Sequence, residues 1–240
     1  RANYFAYDPT NPYVFVAAGS YNSCAVHQNG QITCRYKNNN IQQYGNVLPP
    51  SNRSFALGEM KHCSLRPDLT VSCSPQMSAP VTAMIDVRAN GDRFCGLSRE
   101  GRASCWGANT TEYPPPEELS FSQLGVGTRH ACGITTGTSS SGGSIHCWGY
   151  NADGRADIPN AIQARDDYRQ IGCSEDHCCA LTQAGEVHCF GLTLPGSFPS
   201  GNGYVDLVYG NHGGCVLNGE GHPICFGGAP TNYPPIYVAP

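Results

Sequence analysis

Apolar residues along this chain come in short runs that never lengthen into helical stripes. Val14-Phe15-Val16-Ala17-Ala18 and Tyr204-Val205-Asp206-Leu207-Val208 are typical. Runs of this length, rich in β-branched and aromatic residues and bounded by turn formers, predict strands. Each such run leads to a glycine five residues before a cysteine, at Gly19, Gly58, Gly127 and Gly210, with Asn90 and Ser174 as departures. A second cysteine follows ten residues after the first in five copies: Cys24 and Cys34, Cys63 and Cys73, Cys95 and Cys105, Cys179 and Cys189, Cys215 and Cys225. In four of the five loops a glycine falls just past the midpoint, at Gly30, Gly101, Gly185 and Gly221. A three-residue hairpin loop needs positive φ at its last position, which glycine adopts at no steric cost. With the loop at Gln28-Asn29-Gly30, Cys24 falls directly opposite Cys34. Opposed antiparallel residues lie within the reach of a disulfide. The unit is a stapled hairpin.

The leading cysteines stand at 24, 63, 95, 132, 179 and 215, at intervals of 39, 32, 37, 47 and 36. The fourth copy, Cys132 to Cys147, is stretched by Gly137-Thr138-Ser139-Ser140-Ser141-Gly142-Gly143, whose composition predicts a flexible loop tip. After the second cysteine come Trp106-Gly107, Trp148-Gly149, Phe190-Gly191 and Phe226-Gly227, and prolines punctuate the exits. Four-stranded units of roughly 40–50 residues around an axis define a β-propeller. The expected fold is therefore all-β: a single propeller over residues 1–240, with six blades. The repeat units are 12–48, 49–80, 81–116, 117–160, 161–200 and 201–235. Residues 1–11 and 236–240 are expected to close the ring, and a composite seventh blade built from them is the alternative count.

Gly127-Thr128-Arg129-His130-Ala131-Cys132-Gly133-Ile134, followed by Cys147-Trp148-Gly149-Tyr150-Asn151-Ala152-Asp153-Gly154, resembles the regulator-of-chromosome-condensation repeat. It is more similar still to the cysteine-bearing version in the ectodomains of plant Crinkly-type receptor kinases. Gly91-Asp92-Arg93-Phe94-Cys95-Gly96-Leu97 with Cys105-Trp106-Gly107-Ala108-Asn109 matches the same pattern, whereas copy two replaces Trp-Gly with Ser74-Pro75. The resemblance implies a propeller, usually of seven blades, that serves as a protein docking platform; related propellers include bacterial β-lactamase inhibitors.

Fourteen cysteines place the chain in an oxidising compartment. C-x9-C across a hairpin is a poor zinc spacing, and no C-x2-C knuckle occurs, so no metal is expected. Six in-register bridges leave Cys173 and Cys178, which should pair with each other because Cys178 and Cys179 face opposite sides of a strand. A redox-active pair beside Glu175, Asp176 and His177 is the sharper alternative to a plain seventh disulfide. Asn52-Arg53-Ser54 and Asn109-Thr110-Thr111 are glycosylation sequons. No stretch approaches the length of a membrane helix, and a net charge of −4 offers no basic patch for nucleic acid. Arg1 reads as the start of a processed chain or an excised fragment.

None of the eight histidines lies in a compact metal pattern. His130 and His177 share one slot, two residues before a cysteine, where Asn22 stands in copy one; a turn-stabilising hydrogen bond is the expected role. Asn151-Ala152-Asp153-Gly154-Arg155-Ala156-Asp157 faintly resembles a calcium loop but lacks the acidic spacing of one. No nucleophile elbow, phosphate loop or catalytic constellation is present, so the chain is expected to be no enzyme and to carry no cofactor. Trp106 and Trp148 are assigned to packing between blades.

The remaining candidates are aromatics with amide neighbours in blade exits: Tyr113, Tyr150 with Asn151, and Asn232 with Tyr233. Such loops suit a glycan. Because what repeats is structural, a single composite site on one face is expected rather than six equivalent ones. The function predicted is that of a secreted extracellular propeller that recognises a glycan, lectin-like, or a protein through variable loops. The alternatives are a structural protein that self-assembles into an extracellular fibre or coat, and a protein-docking or inhibitor ectodomain.

Overall fold

The computed structural model describes residues 10, 12–18, 22–36, 40–44, 55–59, 61–74, 77–108, 110, 113–137, 142–192, 194, 199–210 and 213–227. Within them six antiparallel sheets follow one another along the chain. Blade one comprises β1 (Tyr13–Ala18), β2 (Asn22–His27), β3 (Ile32–Tyr36) and β4 (Ile41–Tyr44). Blade two comprises β5 (Phe55–Leu57), β6 (His62–Leu65) and β7 (Val71–Ser74); blade three β8 (Asp86–Asn90), β9 (Arg93–Leu97) and β10 (Ala103–Gly107). Blade four has β11 (Phe121–Val126), β12 (His130–Thr135) and β13 (Ile145–Gly149), followed by the short helix α1 (Asn160–Gln163). Blade five has β14 (Tyr168–Cys173), β15 (His177–Thr182) and β16 (Val187–Gly191), and blade six β17 (Tyr204–Tyr209), β18 (Gly213–Asn218) and β19 (Pro223–Gly227). The expected fourth strand is found in blade one; the other five sheets have three strands among the described residues. The ring-closing termini lie outside them, apart from Thr10.

The hairpin between the second and third strands has one geometry in every blade but the fourth, whose loop carries the insert. His27 N–H donates to the Gln31 carbonyl and Gly30 N–H to the His27 carbonyl, each at 2.8 Å. Cys24 then pairs with Cys34, and the same register sets Cys63 against Cys73, Cys95 against Cys105, Cys132 against Cys147, Cys179 against Cys189 and Cys215 against Cys225. All six pairs are disulfides, and Cys173–Cys178 is a seventh, across the first and second strands of blade five. Gly30, Gly101, Gly185 and Gly221 take φ between 76° and 86°, as the loop requires. Blade two has no glycine there, and Leu69 adopts φ 67° instead. A side chain in that region costs about 1–2 kcal/mol.

Each junction between blades is built alike. The cysteine-bearing face of one blade packs on the first strand of the next and, except at the junction of blades one and two, on its Trp or Phe. Cys95 and Leu97 meet Phe121, Leu124 and Trp148. Cys132, Ile134 and Ile145 meet Tyr168, Ile171 and Phe190. Cys179 and Leu181 meet Tyr204, Leu207 and Phe226. Trp106 lies likewise against Cys63 and Leu65 of blade two. At the residue opposite the leading cysteine, blades four and five come so close to the next first strand that only glycine fits: a Cβ at Gly172 would lie 2.3 Å from Tyr209 Cβ, whereas blade three has Arg88 at this register. Blade six has Val208 at this register, opposite Cys215, and it is 59% exposed; Ile224 and Cys225 on the same blade are exposed too. The blade-four insert is anchored at its end, since Gly143 bridges to Tyr168 of blade five. That end belongs to the junction, because a glycine backbone can pair across blades where a side chain would meet the Thr135 carbonyl at 1.8 Å.

Two stability outcomes follow. Leu69→Gly should raise the denaturant midpoint, by about 1 kcal/mol, because relief of the positive-φ cost exceeds the added chain entropy. Gly172→Ala should cost about 1–3 kcal/mol by overpacking, whereas Val208→Ala at the equivalent register should cost less than about 1 kcal/mol. Urea unfolding of the three variants checks both.

Candidate functional site

In four copies the slot two residues before the leading cysteine reaches across to the next blade, a role beyond the turn-stabilising one expected for it. Lys61 Nζ donates to Asp92 Oδ2 at 3.4 Å, and Arg93 Nη1 to the Arg129 carbonyl at 3.1 Å. His130 Nε2 lies 3.2 Å from Cys178 Sγ, and His177 Nε2 lies 2.6 Å from the Tyr209 hydroxyl. His177 also serves its own turn, through Nδ1 to Ser174 Oγ at 2.8 Å. A second set of struts escaped sequence reasoning. Gln123 Oε1 accepts from Ile171 N–H at 2.7 Å, and Gln170 Oε1 accepts from Leu207 N–H at 3.0 Å. Both glutamines follow a β-bulge at the second residue of the first strand. The recurrence of Gln at one register was the available signal.

Blade four's exit turn is the most elaborated surface feature among the described residues. Gly154 takes φ 81° to close it, and Gly154 N–H donates to the Asn151 carbonyl. Asn151 uses both ends of its amide: Oδ1 accepts from Ala156 N–H and Nδ2 donates to Asp157 Oδ1, each at 2.8 Å. Arg155 forks onto Asp153 through Nε and Nη2, and Nη1 donates to the Glu175 carbonyl of blade five at 3.1 Å. That guanidinium holds the partly buried Asp153 carboxyl down at about 2. The turn is thus tied together by its own side chains, with a cation where a calcium loop would need an ion. Tyr150 lies under Arg129, whose Cζ is 3.9 Å from the ring centroid. Beside the turn an open cavity of about 380 Å³ is lined by Asp153, Asp157, Ile158, Pro159, Phe190 and Leu192, with Leu194 at its edge.

The structure brings Tyr150 and Asn151 into this one turn and places Tyr113 on the exposed exit of blade three. Asn232, Tyr233, Asn52 and Asn109 lie outside the described residues. Trp106 and Trp148 belong to the junction cores. His130, Cys173 and Cys178 set a ring nitrogen and two sulfurs within 4.8 Å of one another, but the two sulfurs are bonded together.

This is a disulfide-stapled β-propeller. Residues 168–192 match the family model of the regulator of chromosome condensation (RCC1) repeat. The crystal structure of the CRINKLY WD40 ectodomain from the Arabidopsis thaliana receptor kinase ACR4 superposes with a TM-score of 0.74 at 21% identity, covering 93% of this chain and 83% of that one. The entire ectodomain from the Physcomitrella patens receptor kinase CR4 gives a TM-score of 0.73 at 22% identity, covering 95% of this chain and 64% of that one. In sequence, the chain is 27% identical to the Arabidopsis thaliana serine/threonine-protein kinase-like protein CCR2, over 51% of this chain and 19% of that protein. It is 29% identical to the Arabidopsis thaliana ultraviolet-B receptor UVR8, over 50% of this chain and 30% of that protein. The match thus spans less than a third of either curated relative.

Buried histidines give the fold a pH dependence. Burial lowers both His62 and His130 to about 4 from an ordinary 6.5, with Arg155 and Arg93 adding to the effect at His130. Below pH 6.5 the unfolded chain takes up protons that the folded protein refuses until about pH 4. Stability therefore falls as pH drops through this window, by on the order of 3 kcal/mol per histidine at its full extent. Depressed carboxylates such as Asp153 and Asp167 act below pH 3.8, so they leave this window clear. Urea midpoints at pH 7, 5.5 and 4 should decline stepwise, and His62→Gln should remove part of the decline, the rest remaining with His130 and His188.

Proposed function

We propose that this chain is an extracellular recognition propeller whose ligand is a protein segment, held where blade four's exit turn meets the last strand of blade five. The observation that carries this reading is the cavity of about 380 Å³ at that junction. Its walls are apolar, and Leu192 and Leu194 beside it are 49% and 45% exposed. Asp153 and Asp157 put carboxylates on the rim. An apolar side chain seated between such walls, with lysine or arginine beside it facing the carboxylates, is the complementary ligand. Seven disulfides support an extracellular setting, as do the receptor ectodomains that share the fold. A glycan is less well served. One face of Tyr150 is taken by Arg129 and the Asn151 amide is committed to its own turn, which leaves Tyr113 as the free aromatic among the described candidates. Self-assembly into a fibre or coat has one observation of its own, the exposed Val208 and Ile224 on blade six.

Panning a random displayed-peptide library on the folded propeller tests the reading. Enriched peptides should combine an apolar anchor with basic residues, weaken with salt, and lose about tenfold or more in affinity to Leu192→Asp. They should be indifferent to Tyr113→Ala. A blank selection on protein that binds a glycan array through Tyr113 would replace the protein reading with the lectin one.

A further inference from the structure

Cys132 and Cys178 belong to different disulfides, yet their sulfurs lie 3.4 Å apart in the core between blades four and five. The sequence explains how this arises. Cys132 lies on the face of blade four that blade five covers. The additional bridge Cys173–Cys178 occupies the register that Val126 and Ala131 hold in blade four, so it places sulfur where the preceding repeat has hydrocarbon. His130 stands at the same contact, with Nε2 3.2 Å from Cys178 Sγ. A disulfide sulfur can only accept, which puts the ring proton on Nε2, and Nδ1 is buried without a partner. Cys132, Cys173 and Cys178 are buried, and Cys147 is the partly exposed end of the four.

We propose that these two bridges form an exchange pair: Cys147 accepts a small extracellular thiol of the glutathione class, and Cys132 passes the exchange on to Cys178. The incoming thiolate, its proton left in water, bonds to Cys147 Sγ and breaks Cys132–Cys147. Cys132 leaves as a thiolate already in contact with Cys178 Sγ. It bonds to that sulfur, Cys173–Cys178 breaks, and Cys173 departs as a thiolate that takes a proton back from water. The His130 N–H, within 4.8 Å of the Cys173 sulfur, stabilises the departing charge. One thiol is consumed and one is released, and the number of disulfide bonds is unchanged. The product carries a mixed disulfide at Cys147, a free thiol at Cys173 and a Cys132–Cys178 bridge. A staple within blade four has become a staple between blades four and five. This inference is independent of what the propeller binds.

The folded protein is incubated with reduced glutathione, acid-quenched, alkylated with N-ethylmaleimide and mapped by non-reducing proteolysis and mass spectrometry. The expected product has glutathione on Cys147, N-ethylmaleimide on Cys173, and peptides linked through Cys132 and Cys178. Glutathione on Cys147 with alkylated Cys132 and an intact Cys173–Cys178 bridge overturns the proposal, as does survival of all seven bridges. Cys147→Ser provides a second reading without any added thiol. Its unpaired sulfur should be found at Cys173 in the folded variant, with Cys132 bonded to Cys178. A free thiol that stays at Cys132 sinks the idea.

Discussion

The register between the second and third strands of each blade is the constraint on which the rest depends. The opposed cysteines hold Cα atoms 3.9 to 4.1 Å apart in the six hairpins, so neither strand can slide past the other. Sliding would be costly because a one-residue slip turns every side chain to the opposite face. That alternation gives Cys-Trp and Cys-Phe their meaning. Cys147 faces blade five and Trp148, one residue on, faces blade three. Cys105-Trp106, Cys147-Trp148 and Cys189-Phe190 therefore each attach their blade to both neighbours. A bridge closing so short a loop contributes about 2–3 kcal/mol through the unfolded chain; the larger consequence is that the two packing faces are fixed relative to each other.

How much of this is legible in the sequence depends on whether a device is local. The ten-residue cysteine spacing and the glycine six residues after the leading cysteine lie within one hairpin, and they lead directly to the pairing and to the loop conformation. Leu69 marks the limit: the loop shape persists without its glycine, because the flanking strands and Cys63–Cys73 impose it. The bulges after Phe121, Tyr168 and Tyr204 are hidden because one extra residue interrupts the apolar alternation that reveals a strand. Contacts between blades are hidden for a different reason. Lys61, Arg93, His130 and His177 are chemically unlike, so as letters they suggest no common role, yet each bonds to the blade that follows. Their partners lie some thirty to fifty residues away, at positions that a single sequence leaves unmarked.

The same distinction separates scaffold from site. Residues that recur, the cysteines, Trp-Gly and the turn glycines, are consumed in the hairpins and junctions, and Tyr150 and Asn151 prove to hold their own turn together. The cavity at the blade-four exit instead draws on residues with no counterpart in other copies: Ile158 and Pro159 before α1, and Leu192 and Leu194 after β16. These positions are free to differ because no disulfide depends on the exits for its register, although Ile158 also packs against the junction core of blades four and five. A hairpin closed by its own bridge tolerates any exit loop that does not obstruct the next blade. Recognition can then be concentrated at one junction while the other blades act as support, which is the arrangement expected of a binding surface carried on a rigid repeat. Arg155 shows how the two are joined: it closes the exit turn through Asp153 and fastens it to the Glu175 carbonyl, so the variable loop sits at a fixed position against blade five.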